Sequence, residues 1–244
     1  MSEDILIKRN GPVIEVTLNR PDEGNGATDP MAVQLTELLL DPGDAELVLL
    51  RGAGTDFCIG RASMGRGGPP AQEEALARRN SSDVIFDCYA AFRRCPIPVV
   101  GVIQGRALGF GCALAAVCDV TLASDAASFQ VPEMQHSIMP TMVASSLVDR
   151  VPVKAMTYLI WSTAVIDAQR ALTWGIVSDV FPAASLELGV KKFTDQVLKA
   201  PRPAQRAVKE YARVAMDMPV AGAVDFARNL HATINSSSEM RKKH

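Results

Sequence analysis

Residues 98–134 gather the side chains of this chain best suited to chemistry: glycines at 105, 109 and 111, two cysteines, and a carboxylate at Glu133. The stretch opens on an apolar run (PVVGVI), turns on the glycines, and continues as a second compact apolar run ending at Cys118. Glycine at such positions lets the backbone approach a neighbour closely or adopt positive φ. A helix starting at the turn would present free N–H groups with partial positive charge, suited to an anion or a developing oxyanion. The same glycines equally suit an ordinary strand-to-helix turn, and spacing alone does not choose between the two. Glu133 follows an apolar strand, where a carboxylate can act as a general acid or base or simply sit at the surface.

Two phosphate-binding readings of this turn fit poorly. Gly109-Phe110-Gly111 after a strand, with Asp125 ending the next strand, is part of a dinucleotide-binding pattern. The third glycine is absent, with Leu114 in its place, and the segment between strands is short for a crossover. A P-loop fails outright, because no Gly-Lys-Ser/Thr follows.

These residues need a scaffold, and the chain supplies one in alternating pieces. Residues 5–18 alternate apolar and polar side chains around Asn10-Gly11, a hairpin signal. A helix is expected over 31–40, stopped by Asp41-Pro42-Gly43, then a buried strand over 46–51 and a long glycine-rich loop over 52–70. One long helix is expected over 72–95, with Leu76, Val84, Ile85, Tyr89 and Phe92 as its apolar positions. The strand over 98–103, a glycine-punctuated turn, a helix around 112–118 and strands over 120–123 and 127–131 follow. From Pro140 the pattern is helical, broken at residues 174–177, where a short strand to Val180 fits. Helices over 185–199, 203–216 and 220–236 close the chain. Apolar strands without alternation, separated by helices, indicate an α/β layered core. The division expected is an α/β core over 1–184 and a helical region over 185–244.

Composition narrows the function. A net charge of −2 argues against a nucleic-acid partner, which calls for a basic face. Arg78-Arg79 and Arg241-Lys242-Lys243 read as a solvated helix face and a frayed tail. Five cysteines without a C-x-x-C pair suggest small core residues in a reducing compartment. His136, His231 and His244 show no metal-ligand spacing, so no metal is expected. The first nine residues carry two acids and no long apolar run, unlike a signal peptide. No stretch approaches the ~18 apolar residues of a membrane span. A soluble cytoplasmic protein is expected.

Residues 97–119 (IPVVGVIQGRALGFGCALAAVCD) followed by 123–133 (ASDAASFQVPE) resemble the signature of the crotonase (enoyl-CoA hydratase/isomerase) superfamily. Leu18-Asn19-Arg20-Pro21 with Asn25 and Ala27, Gly52-Ala53-Gly54 with Phe57-Cys58-Ile59-Gly60, and residues 168–171 with Trp174-Gly175-Ile176-Val177 are similar in order and spacing, from about residue 5 to 240. The resemblance implies a crotonase-like ββα spiral core with a C-terminal helical trimerisation region, and a homotrimer or hexamer. It implies an acyl-CoA thioester substrate, with no permanently bound cofactor and no membrane or nucleic-acid partner. The thioester oxygen would be held by the backbone N–H groups of Arg61 and Phe110, with Glu133 as the catalytic acid/base. Coenzyme A would be recognised near Ala27, Phe57, Ile59 and Ala62. The C-terminal basic residues are candidates for a CoA phosphate of a neighbouring subunit.

The chain departs from that family in four places. The position of the usual first glutamate is Ala113, leaving one carboxylate, a number suited to double-bond isomerisation or to a hydratase-lyase of the hydroxycinnamoyl-CoA type. Two-glutamate hydration is the least supported, and a non-catalytic acyl-CoA binder is the rival reading. His136 or Gln135 are candidates for a second polar group. Phe110 replaces the middle glycine of a triplet, so its ring either narrows the acyl pocket or packs into the core. Ile138-Met139-Pro140-Thr141-Met142 replaces a glycine-rich stretch, which implies a remodelled acyl end, and the first helix is shorter than usual.

Overall fold

The computed structural model describes residues 3–62, 75–80 and 82–241. Strands β1 (Ile5–Asn10) and β2 (Val13–Leu18) pair antiparallel with Asn10 opposite Val13, so the hairpin loop is Gly11-Pro12. Helix α1 (Asp29–Leu40) starts two residues earlier than expected, because Thr28 caps it by accepting the Met31 N–H at 3.4 Å. Strand β3 (Leu47–Gly52) follows. The helix expected over 72–95 is divided into α2 (Ala75–Asn80) and α3 (Asp83–Arg94). Asn80 and Ser82 flank the break, and both residue types compete with helical hydrogen bonds. The remainder of the expected loop over 52–70 beyond Ala62 lies outside the described residues, as do Lys242 and Lys243.

Next come β4 (Val99–Ile103), β5 (Arg106–Leu108), α4 (Phe110–Val117), β6 (Val120–Ser124) and β7 (Ser128–Gln130). A 3-10 turn over Glu133–His136 leads to α5 (Thr141–Leu147), α6 (Val153–Ser162), β8 (Ile166–Asp167), α7 (Ala168–Thr173) and β9 (Asp179–Phe181). Helices α8 (Leu186–Leu198), α9 (Arg202–Ala215) and α10 (Val220–Ser236) finish the chain close to where they are expected.

Among the described residues the strands form two sheets. The larger has the order β1-β2-β3-β4-β6-β9, parallel throughout except for β1. The smaller has the order β5-β7-β8, with β5 and β7 parallel. β3, β4 and β6 lack alternation because both of their faces are covered. Val48, Leu50, Val99, Ile103 and Ala123 point into the main core with α1, α3 and α4. Leu47, Leu49, Val100, Val102 and Leu122 point the other way, onto Leu186 and Val190 of α8. The helix that follows the expected boundary at 184 thus closes the second face of the same sheet. Full burial of each such side chain contributes about 1.5–3 kcal/mol.

Helix α3 presents Ile85, Cys88, Tyr89 and Phe92 to the core, the i, i+3, i+4, i+7 stripe of an amphipathic helix. Lys209 on α9 ties the C-terminal helices to this region. Its Nζ donates to Phe92 O at 3.1 Å and Ile97 O at 2.8 Å, and pairs with Asp119 Oδ2 at 2.7 Å. Asp119 Oδ2 also accepts the Val99 N–H at 2.7 Å, so one carboxylate joins α9 to the start of β4. Among the described residues, no helix is long and apolar enough to cross a membrane.

Candidate active site

The site is built where the smaller sheet meets the start of α4. Gly109 links β5 to α4 with φ 49° and ψ −111°, and its N–H donates to Gln130 O of the neighbouring β7 at 2.9 Å. That φ lies where side chains are disfavoured. Gly111, in the first turn of α4, lies against the Cys58 carbonyl so closely that a Cβ there would sit 2.1 Å from Cys58 O. Residue 58 is in turn locked to β5: Cys58 N donates to Arg106 O at 3.1 Å, and Leu108 N donates to Cys58 O at 2.9 Å.

The Cys58–Ala107 bridge is parallel, and Arg61 and Phe110 each lie three residues further along their segments. Arg61 is bridged on its other side to Ala27, through Ala27 N to Gly60 O and Ala62 N to Ala27 O, both 2.9 Å. Those bonds use the flanking carbonyl and N–H, and they turn the Arg61 N–H away from residue 27. Neither the Arg61 nor the Phe110 N–H has an acceptor among the described residues. Two free donors on adjoining, hydrogen-bonded backbone segments suit an oxyanion.

Glu133 opens the 3-10 turn after β7 and is 6% exposed. Its Oε1 stands 2.6 Å from where a Cβ on Gly109 would be, so only glycine leaves it this position. Its Oε2 is sealed from solvent with no hydrogen-bond partner among the described residues. Burial pushes the carboxyl above its ordinary value, against smaller opposing effects of its own backbone N–H and of His136. A carboxylate in this state can exchange a proton with a substrate more readily than an exposed one.

The remaining expected residues fall into two groups. Ile59, Arg61 and Ala62 line an open cleft of about 730 Å³, together with Leu108, Pro132 and His136. Ala27 and Phe57 do not line it; they are 2% and 0% exposed and back the loop from the core. Phe110 is 3% exposed, and its ring stacks on Tyr89 at 5.6 Å, so it packs inward on α3. Ala113 is fully buried within α4. His136 is exposed at the cleft, and Gln135 Nε2 donates to Thr163 Oγ1 at 2.9 Å. All five cysteines are free and buried, and burial pushes the thiols of Cys58, Cys88 and Cys112 up to about 12, leaving them unreactive.

Sequence reasoning missed two features here. Asp56 grips Arg106 through Nε at 2.9 Å and Nη2 at 2.7 Å, holding the 55–58 loop on β5. The guanidinium holds the Asp56 carboxyl below its ordinary value. Tyr89 carried only the signal of an apolar helix position, yet it brings a phenol to the buried side of α4.

The family model for enoyl-CoA hydratase/isomerase matches residues 8–243. The chain belongs to the enoyl-CoA hydratase/isomerase family, within the crotonase superfamily. Among its relatives, the (E)-benzylidenesuccinyl-CoA hydratase of Thauera aromatica is 25% identical, over 98% of this chain and 93% of its own length. The enoyl-CoA hydratase structure from Mycobacterium smegmatis has the same fold, with a TM-score of 0.90, 22% identity, and coverage of 99% of this chain and 94% of that one. A Thermobifida fusca YX structure solved with acetoacetyl-CoA is 25% identical with a TM-score of 0.83, covering 94% of each chain. The mixed α/β architecture with a helical C-terminal region is therefore that of crotonase-superfamily enzymes. In this enoyl-CoA hydratase/isomerase family member Glu133 stands beside the glycine turn, and residue 113 is alanine.

Proposed function

We propose that the chain acts on an acyl-CoA thioester, with the Arg61 and Phe110 N–H groups holding the thioester oxygen and Glu133 moving the proton. The observation that carries this reading is the buried Glu133 carboxylate, with Oε2 lacking a partner among the described residues and Oε1 held against Gly109, the residue before α4. Fixed donors stabilise the enolate oxygen as charge develops, and loss of one such donor typically costs ~3 kcal/mol of barrier. With alanine at 113, one carboxylate takes every proton. It can carry a proton from one carbon of the acyl chain to another, which is isomerisation. It can also take a proton from water adding to the β-carbon and return it to the α-carbon, which is hydration. The coenzyme A portion runs along the cleft beside Ile59 and Ala62, a wall that Ala27 and Phe57 support from the core. Coenzyme A enters as part of the substrate, and neither reaction needs a resident cofactor.

Glu133→Gln tests this on a panel of 2-enoyl-, 3-enoyl- and aryl-enoyl-CoA thioesters. The expected result is turnover lower by about 10³-fold with CoA-thioester binding by calorimetry unchanged. Unchanged turnover would overturn the role of Glu133. Binding without any turnover by the wild type would instead favour a non-catalytic acyl-CoA binder.

The helical C-terminus is proposed as the surface by which copies meet in a trimer or hexamer. None of the residues of α10 is buried, and Val208, Met216, Val220 and Val224 are exposed. An apolar groove of about 440 Å³ between α9 and α10 continues this face. Light scattering on the purified chain is expected to give three or six copies; a monomer at micromolar concentration would contradict the assembly.

A further inference from the structure

One polar group near Glu133 has no task in the chemistry above. Tyr89 lies on the buried stripe of α3, 2% exposed, with its ring stacked on that of Phe110 at 5.6 Å and 29°. Its hydroxyl has no hydrogen-bond partner among the described residues. Buried polar atoms are nearly always paired, and leaving one unpaired costs about 1–3 kcal/mol. A buried donor that the fold leaves without a partner is open to one on a bound molecule.

Contacts place the Tyr89 ring on Phe110, one residue from the glycine that meets the carboxylate. Tyr89 stacks on Phe110, Phe110 follows Gly109, and Gly109 meets Glu133 Oε1. Tyr89 and Glu133 thus meet neighbouring residues, the Phe110 ring and Gly109 respectively, and the Phe110 N–H between them is a free donor among the described residues. Ala113, on the same helix, offers a buried methyl group where a second acid would stand. Burial and the nearby Glu133 hold the phenol well above its ordinary value, so it keeps its proton and can donate it in a hydrogen bond.

We propose that the Tyr89 hydroxyl donates a hydrogen bond to the oxygen that joins or leaves the β-carbon of the thioester, while Glu133 takes or gives that oxygen's proton. This rests on the reading of Glu133 and the Arg61–Phe110 donors given above. It selects hydration and dehydration over isomerisation, and hence 2-enoyl thioesters and their 3-hydroxyacyl counterparts as the substrate class. In the forward direction the water oxygen bonds to the β-carbon, and the double-bond electrons move toward the α-carbon and the thioester oxygen. The water proton passes to Glu133, which then delivers it to the α-carbon. Water is added across the bond, Glu133 returns to its starting state, and Tyr89 keeps its proton throughout.

Tyr89→Phe keeps the ring and its stacking and removes only the oxygen. Hydration of crotonyl-CoA is expected to lose at least about 10-fold in kcat, with KM changed less than about 3-fold, as befits a hydrogen bond made mainly to the reacting oxygen. Isomerisation of a 3-hexenoyl thioester, which moves a proton without water, is expected to stay within about 2-fold. The melting temperature should not fall, because an unpaired buried hydroxyl has been removed. A purely structural role for Tyr89 would instead lower stability and slow both reactions together. Equal losses in both reactions, no loss in hydration, or a wild type that isomerises without hydrating would each overturn the proposal. Glu133→Gln in the same assays separates the layers: intact turnover there refutes the underlying reading. Abolished turnover there, with hydration spared in Tyr89→Phe, refutes only the role of Tyr89. A wild type that turns over neither thioester overturns both.

Discussion

Lys209 and Glu133 are both charged side chains withdrawn from water, 8% and 6% exposed, and the chain treats them in opposite ways. Lys209 is given two carbonyls and the Asp119 carboxylate, all within 3.1 Å. Among the described residues Glu133 has no side-chain donor, and its Oε2 is sealed without a partner. Lys209 joins α9 to the end of α3 and the start of β4, so its charge fastens scaffold elements together. Glu133 stands at the glycine turn that precedes the Phe110 N–H, a free donor among the described residues. A satisfied buried ion marks a structural joint, whereas an unsatisfied one is a candidate site for a substrate.

The sharpest way to break this contrast is at the scaffold end. Lys209→Met leaves Asp119 half-buried without its cation, and a loss of about 3–5 kcal/mol is expected in urea unfolding. Turnover per folded molecule should stay unchanged. A loss below about 1 kcal/mol would mean that the joint is held by packing instead.

Gly109→Ala probes the other end. The added Cβ meets Glu133 Oε1 and must adopt φ near 49°, so a cost of about 1–3 kcal/mol is expected, with a fall in turnover larger than the fall in folded protein. Full activity in this variant would detach Glu133 from the glycine turn.

The smallest effect concerns stability alone. Because the folded-state pKa of Glu133 lies above its unfolded value, folding favours the protonated form, and that contribution is complete in acid and lost as pH rises through the folded pKa. Glu133→Gln should therefore melt above the wild type near neutral pH, with the gap closing below the usual carboxylate range. A lower melting temperature at neutral pH would show that the carboxylate has a partner in the fold.

The contrast also explains which parts of the molecule could be read in advance. The unalternating runs of β3, β4 and β6 announced a sheet buried on both faces, and glycines 109 and 111 with Glu133 marked the turn correctly. β5 and β8 escaped because they are three and two residues long and exist only through partners distant in sequence. The break between α2 and α3 rests on a few polar residues that a hydrophobic stripe conceals. Lys209 looked like one charge on an amphipathic helix, since its acceptors at Phe92 and Ile97 lie 117 and 112 residues away. Tyr89 was legible as a core position, but periodicity reports which way a side chain faces and not whether its hydroxyl finds a partner. Phe110 was open between the acyl pocket and the core until its stacking on Tyr89 placed it in the core.

The proposed role of Glu133 as a base, with the Arg61 and Phe110 N–H groups as oxyanion donors, is tested most directly by the exchange of α-protons of butyryl-CoA in D₂O, followed by NMR. That measurement needs enolate formation and one base, and it does not depend on the identity of the natural acyl group. Wild-type protein is expected to catalyse exchange, with an acid limb falling through a pKa above the usual carboxylate range, and Glu133→Gln to lose the exchange while still binding the thioester. Undiminished exchange in Glu133→Gln would contradict the assignment.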